Sequence, residues 1–145
     1  MIGLIQRVER ASVCVEGKEI GAIDRGLLVF VGIERADSAQ QAEKLAQKLL
    51  NYRVFEDELG KMNLNVQQIG GELLLVSQFT LAANTQKGNR PSFDPAMAPQ
   101  EAEPLFDYFC QTVHTHYPHT ATGRFGADMR VHLINDGPVT FWLHV

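Results

Sequence analysis

Cysteine is scarce: Cys14 and Cys110 stand far apart and form no paired motif. That argues against a disulfide framework and for the reduced thiols of a cytoplasmic protein. Long hydrophobic runs are missing too. The longest, Leu27 to Ile33, falls far short of the roughly 20 residues that span a bilayer, so no membrane partner is expected. The opening Met1-Ile2-Gly3-Leu4-Ile5 meets Arg7 and Glu9 at once, which is not the pattern of a secretion signal. Neither sign of charge dominates, with 13 basic and 17 acidic residues and a net charge of −4. A general nucleic-acid coat is thereby excluded, because non-specific binding needs many phosphate contacts. A nucleic acid, if bound, has to be gripped at one end or one spot. Repeats, low-complexity stretches and linkers are absent. What remains is one domain, residues 1–145, long enough to close a core without metal or disulfide.

The apolar pattern fills that domain with strands and two helices. Ile2, Leu4 and Val8 alternate on one face, and the face then shifts to Ala11, Val13 and Val15, which predicts a bulge near Glu9-Arg10. Glu16-Gly17-Lys18 reads as a hairpin turn into Ile20-Gly21-Ala22-Ile23. Leu27 to Ile33 and Leu73 to Phe79 read as strands buried on both faces. Ser38, with Gln41 three residues on, predicts a capped helix whose apolar face is Ala42, Leu45, Ala46 and Leu49. Arg53-Val54-Phe55 reads as a short strand, and residues 56–65 as a loop. Pro99 suits the first turn of a second helix, with Ala102, Leu105, Phe106, Phe109, Cys110 and Val113 as its stripe and Pro118 as its end. Residues 82–98 are polar and long for a structureless loop, and such loops are often functional. Two last strands, residues 129–134 and 139–145, are joined by Asn135-Asp136-Gly137-Pro138. The fold class expected is α+β, with largely antiparallel sheets and two main helices on one side.

The usual chemical signatures are thin. His114, His116 and His119 cluster, but no cysteine or carboxylate motif joins them and Pro118 breaks the helix that would align them. They read as a solvated helix end suited to the dipole, and no metal is expected. His132 and His144 sit in strand patterns. No glycine-rich loop follows the first strand, which disfavours a dinucleotide fold. Ser77-Gln78-Phe79-Thr80-Leu81 lacks the glycines of a nucleophile elbow. No histidine–carboxylate pair is placed to activate either hydroxyl. Taken alone, that segment reads either as a strand end with satisfied hydroxyls or as a polar edge facing a ligand. Asn135-Asp136-Gly137-Pro138-Val139-Thr140 is a turn by composition. Its Gly-Pro peptide is either an ordinary hairpin connection or a cis bond, which costs about 0.5–1 kcal/mol. A cis bond turns two carbonyls to one side as a recognition surface.

Together these two segments resemble the signature motifs of the D-aminoacyl-tRNA deacylase family. Gln6-Arg7-Val8 with Ala11-Ser12-Val13, Gly60-Lys61-Met62-Asn63, Gly70-Gly71 and Gly123-Arg124-Phe125-Gly126-Ala127-Asp128-Met129 follow the same pattern in order. The likeness covers essentially the whole chain. It implies hydrolysis of the ester between a D-amino acid and the 3′-terminal adenosine of tRNA, in a homodimer with its active site at the subunit interface. It implies that Gly137-Pro138 is cis, enters the partner's pocket and holds the substrate α-amino group, with Arg7 fixing that loop and Met129 among the substrate contacts. It further implies that Phe79 and Thr80 offer backbone N–H groups to the oxyanion, with Ser77 and Gln78 lining the site. L-amino acids are then rejected by clash, and glycine is admitted. No cofactor is implied. Backbone donors aimed at developing charge supply about 3–4 kcal/mol each. The vicinal 2′-hydroxyl of the substrate helps to activate water, and a covalent role for Thr80 is the competing mechanism. Lys87 and Arg90, in the polar loop, are the candidate phosphate contacts. Two rival readings stay open: an RNA-end-binding module without catalysis, and a small-molecule esterase using Thr80 or Ser77.

Overall fold

The alternation that begins at Ile2 builds β1 (Ile2–Val15), the strand that borders three others in a computed structural model describing residues 1–86 and 88–145. Residues 11–15 pair with β2 (Lys18–Ile23), and residues 2–8 pair with β3 (Gly26–Gly32), both antiparallel. The β1–β2 turn is the expected one. Glu16 (φ 51°) and Gly17 (φ 79°) both take positive φ, which matches a two-residue hairpin to the right-handed twist of its strands.

β3 lies parallel to β6 (Glu72–Ser77), and β6 parallel to β7 (Thr120–Thr122). The main sheet is therefore mixed where a largely antiparallel one was expected, with strand order β2-β1-β3-β6-β7 and β8 (Met129–His144) along β1. Parallel pairing follows from the helical crossovers. α1 (Ala39–Asn51) lies between β3 and β6 in the chain, and α2 (Pro99–His116) between β6 and β7. α1 carries the full capping box, with the Ser38 hydroxyl accepting from Gln40 N–H and the Gln41 side chain reaching back to Ser38 N–H. Pro99 opens α2.

Both faces of the sheet carry a core. On one, Ile5, Leu27, Val29, Val31, Leu73 and Leu75 pack against Leu45 and Leu49 of α1 and Phe106, Phe109 and Val113 of α2. On the other, Val8, Ala11, Val13, Ile23, Leu28, Leu74 and Val76 form a second cluster that includes no helix residue. The helices thus lie on one side, as expected. The face read from Ile2, Leu4 and Val8 is only half of β1. Ile5, on its opposite face, is fully buried under the helices.

Four other expectations are corrected. Residues 56–65 are not all loop, since Met62–Leu64 form β5, paired with β4 (Phe55–Glu56). β6 stops at Ser77, not Phe79, because Phe79–Ala82 turn into a 3₁₀ helix. β7 was not anticipated. Residues 135–138 do not reverse the chain. Both flanking segments run antiparallel along β1 in the same direction, so β8 is one interrupted strand.

Candidate active site

The interruption in β8 has a simple register description. Val8 faces Asn135 and Gln6 faces Thr140, so two steps on β1 correspond to five on β8. Three extra residues are thrown out of the ladder, and they include the Gly137–Pro138 peptide, which is cis. Gly137 and Pro138 are exposed. A second shift, between Val8 and Arg10, is the β1 bulge expected from the sequence.

Arg7 pins this excursion from below. It is 7% exposed, and its Nε donates to the Asp136 carbonyl at 2.9 Å, while Nη1 donates to the Val54 carbonyl at 2.7 Å. The Asp136 carboxylate lies 3.1 Å from the same Nε. Asn135 closes the excursion from the side, its Nδ2 donating to Arg7 O at 2.9 Å and Val139 O at 3.2 Å. A Cβ on residue 137 would overlap Asn135 Oδ1, so the position requires glycine for space. Asn135 was named only as part of its motif, with no role for its side chain, and Val54 only as part of a short strand. Asn135 offered a signal, a side chain able to bond its own backbone two to four residues on. Val54 acts through its carbonyl and offered none.

The second group gathers where β6 ends. Ser77 pairs with Val31, and Gln78 N–H donates to the Val31 carbonyl at 2.7 Å. The chain then turns into the 3₁₀ helix, whose first N–H groups cannot be satisfied within it. Among the described residues the N–H groups of Phe79 and Thr80 reach no acceptor. The Thr80 hydroxyl accepts from Gln78 Nε2 at 2.6 Å, and no histidine or carboxylate among the described residues bonds to it. Such a hydroxyl lacks the adjacent base that makes a nucleophile. Met129 lies nearby. A Cβ added to Gly123 would sit 2.7 Å from its sulfur and 3.7 Å from the Val76 methyls. Arg90 is exposed in the segment that follows the 3₁₀ helix, and Lys87 lies outside the described residues.

Within one chain the two groups stand apart. Arg7 faces Leu27 on β3 and Ser77 faces Val31, an offset of four residues or about 13 Å along the strand. The order β8, β1, β3, β6 adds three strand spacings of about 4.8 Å each. The cis peptide therefore does not close over Thr80 of the same chain.

The family model described as D-Tyr-tRNA(Tyr) deacylase matches residues 4–144. The chain belongs to this family. The D-aminoacyl-tRNA deacylase of Haemophilus ducreyi is 61% identical over 145 residues, covering 100% of both chains. Those of Actinobacillus pleuropneumoniae and Escherichia coli are 62% and 58% identical with the same coverage. Among solved structures, the c-Myc DNA unwinding element binding protein superposes with a TM-score of 0.96 at 44% identity, over 100% of this chain and 99% of that one. A probable eukaryotic D-amino acid tRNA deacylase shares the fold, with a TM-score of 0.85 at 16% identity over 98% of this chain and 97% of that one. No helix among the described residues is long and apolar enough to cross a membrane.

Proposed function

We propose that this protein is a D-aminoacyl-tRNA deacylase, a hydrolase that cleaves the ester between a D-amino acid, or glycine, and the 3′ end of tRNA in the cytoplasm. The observation that carries this reading is the family match across residues 4–144. Residues 1–145 act as a single deacylase domain.

Water attacks the ester carbonyl, and the carbonyl oxygen becomes an oxyanion. Phe79 and Thr80 N–H groups, unclaimed within the chain, are the donors for it. Fixed donors that meet charge only as it develops lower the barrier without reorganising. The bond from the carbonyl carbon to the ribose 3′-oxygen breaks, the oxygen leaves with a proton, and free amino acid and tRNA result. The substrate's own 2′-hydroxyl assists the water, so no histidine is required. Thr80 works through its backbone, which suits a hydroxyl held by an amide rather than a base.

The enzyme works as a homodimer. The roughly 13 Å offset within one chain supports a site completed by Gly137-Pro138 of a second copy. A surface for that contact exists on the sheet face away from the helices. Leu4 faces both Phe30 and Trp142 across the ladder, and Trp142 is 53% exposed. A two-fold pairing there buries the row against its own copy, the commonest arrangement in homo-oligomers. The partner's Gly137 and Pro138 carbonyls hold the α-amino group, so an L side chain meets backbone and a D side chain meets open space.

The test is incubation with matched D- and L-tyrosyl-tRNA while amino-acid release is followed. Release from the D ester alone supports the reading, and equal release from both overturns it. Mixing a Gly137-Pro138-defective subunit with one defective at residues 79–80 tests the shared site. Rescue is expected, and no rescue despite proven subunit exchange would exclude it.

A further inference from the structure

We infer that Asp136 is a specificity-determining residue: its carboxylate cancels the buried charge of Arg7 beneath the Gly137-Pro138 excursion and so lets that excursion take a cationic α-nitrogen. This rests on the deacylase reading above, in which the excursion receives the substrate's α-amino group, and adds the charge condition for doing so. Arg7 is a full positive charge held almost out of water, 7% exposed. The acceptors of its two hydrogen bonds are neutral, the carbonyls of Asp136 and Val54. One carboxylate balances it, Asp136 Oδ2 at 3.1 Å from Nε, and no other ion pair among the described residues reaches this guanidinium.

The carboxylate is not needed to anchor the loop. Arg7 holds residue 136 through its backbone carbonyl, and any side chain at that position leaves this bond in place. The other groups bonded around the excursion are uncharged: Asn135 gives its amide to Arg7 O and Val139 O, and Gln6 Nε2 donates to Thr140 Oγ1 at 3.1 Å. The charge at this end of β8 is therefore set by the Arg7–Asp136 pair. Its two members differ in depth, with the guanidinium side chain 8% exposed and the carboxylate 38%. A ligand arriving from solvent meets the negative member first. Pro138 lies two Cα steps from Asp136, at most about 7.6 Å, so both charges are felt at the peptide that follows. Without the carboxylate, a buried cation alone would lie beneath the carbonyls and oppose an ammonium there. A neutral group of the same shape would be indifferent to the change. Asp136 thus supplies discrimination by charge, separate from the discrimination by clash.

The experiment uses the full-length protein at about pH 6, where an α-amino group is protonated. Two esters are compared on the same tRNA: D-tyrosine, and its α-hydroxy analogue, in which a hydroxyl replaces the ammonium. The unmutated protein should show the lower KM for the amino ester. Asp136→Asn keeps the shape and the backbone bonds. It should raise KM for the amino ester about tenfold at nearly unchanged kcat, and leave KM for the hydroxy ester within about twofold. Asp136→Glu should recover most of the loss. Arg7→Met combined with Asp136→Asn removes both charges, and should return the ratio of the two KM values toward that of the unmutated protein even though both esters are handled less well. Equal losses on the two esters in Asp136→Asn would make the carboxylate a support for the loop and overturn the inference. An unchanged KM for the amino ester would overturn it too. So would equal KM values for the two esters in the unmutated protein, a measurement that needs no variant to fold. Failure of the deacylase reading would look different: no D-tyrosine release by the unmutated protein.

Discussion

Arg7→Met is the substitution that most directly separates a structural cation from a decorative one. Methionine keeps much of the apolar stem and removes the fork. Two charge-assisted bonds disappear, to Asp136 O at 2.9 Å and to Val54 O at 2.7 Å. Each is worth about 1.5–3 kcal/mol, a gross loss of about 3–6 kcal/mol. Relief from burying a guanidinium offsets part of that loss. The net expectation is about 2–4 kcal/mol of destabilisation. At a urea slope of about 1–3 kcal/mol per M, the unfolding midpoint falls by about 1–2 M at fixed protein concentration. Function should suffer beyond stability. Asp136 immediately precedes Gly137, so releasing its carbonyl loosens the excursion proposed to discriminate handedness. Single-turnover hydrolysis of D-tyrosyl-tRNA in water, where the variant is still folded, should be slower, and the ratio of D to L rates should fall. Arg7→Lys should fall between, since one ammonium cannot span two carbonyls on different elements. A midpoint unchanged within about 0.3 M together with an intact D-to-L ratio would refute the reasoning.

Thr80→Ala should retain substantial activity, because the backbone N–H survives; complete inactivation of folded protein, or an acyl-enzyme trapped at Thr80, would favour covalent catalysis. Gly137→Ala should displace Asn135, whose Oδ1 occupies the space of a Cβ, and should lower the D-to-L rate ratio measured on tyrosyl-tRNA. Cys110, its thiol pushed up to about 12 by burial and by Asp107, exposes about one thiolate in a hundred thousand at pH 7, so native alkylation should be slow and accelerate on unfolding. Asp57 is held below the usual carboxylate range by the Lys61 N–H and the Asn63 side chain, with the Leu59 N–H adding to them, against an opposing desolvation. A depressed folded pKa means the carboxylate ordering of this turn is present above the unfolded value and lost as pH falls through the folded one. Amide exchange at Leu59 and Lys61 should therefore quicken in that acidic window and stay constant at neutral pH.

Local rules were enough wherever a residue acts on its immediate neighbours. The Ser38–Gln41 box, Pro99 at the start of α2 and the Glu16-Gly17 turn are decided within a few residues, and all three are where the chain says they are. β5 and β7, three residues each, are held by pairing, β5 to the two-residue β4 and β7 to the distant β6, rather than by any pattern of their own. The β1 alternation misled in part because both of its faces are buried, so a period of two picks one and hides the other. Asn135-Asp136-Gly137-Pro138 has the composition of a turn, yet composition fixes only a local bend. Whether a bend reverses the chain depends on what lies alongside, and here β1 continues past it. For the candidate site, the residues proposed came from family likeness. The Val54 carbonyl that anchors Arg7 comes from a part of the chain with no local signal of its role.

The odd number of residues expelled from β8 breaks the alternation of its side chains. Val131, before the excursion, packs on the sheet face away from the helices, whereas Val139 and Leu143, an even number of residues further on, lie in the core beneath them. The excursion thus turns the strand over once, and one continuous segment serves both cores. The face of the last strand is then fixed by its pairing with β1, Thr140 opposite Gln6. The cis peptide is in this sense also the spacer that keeps the final strand right side in.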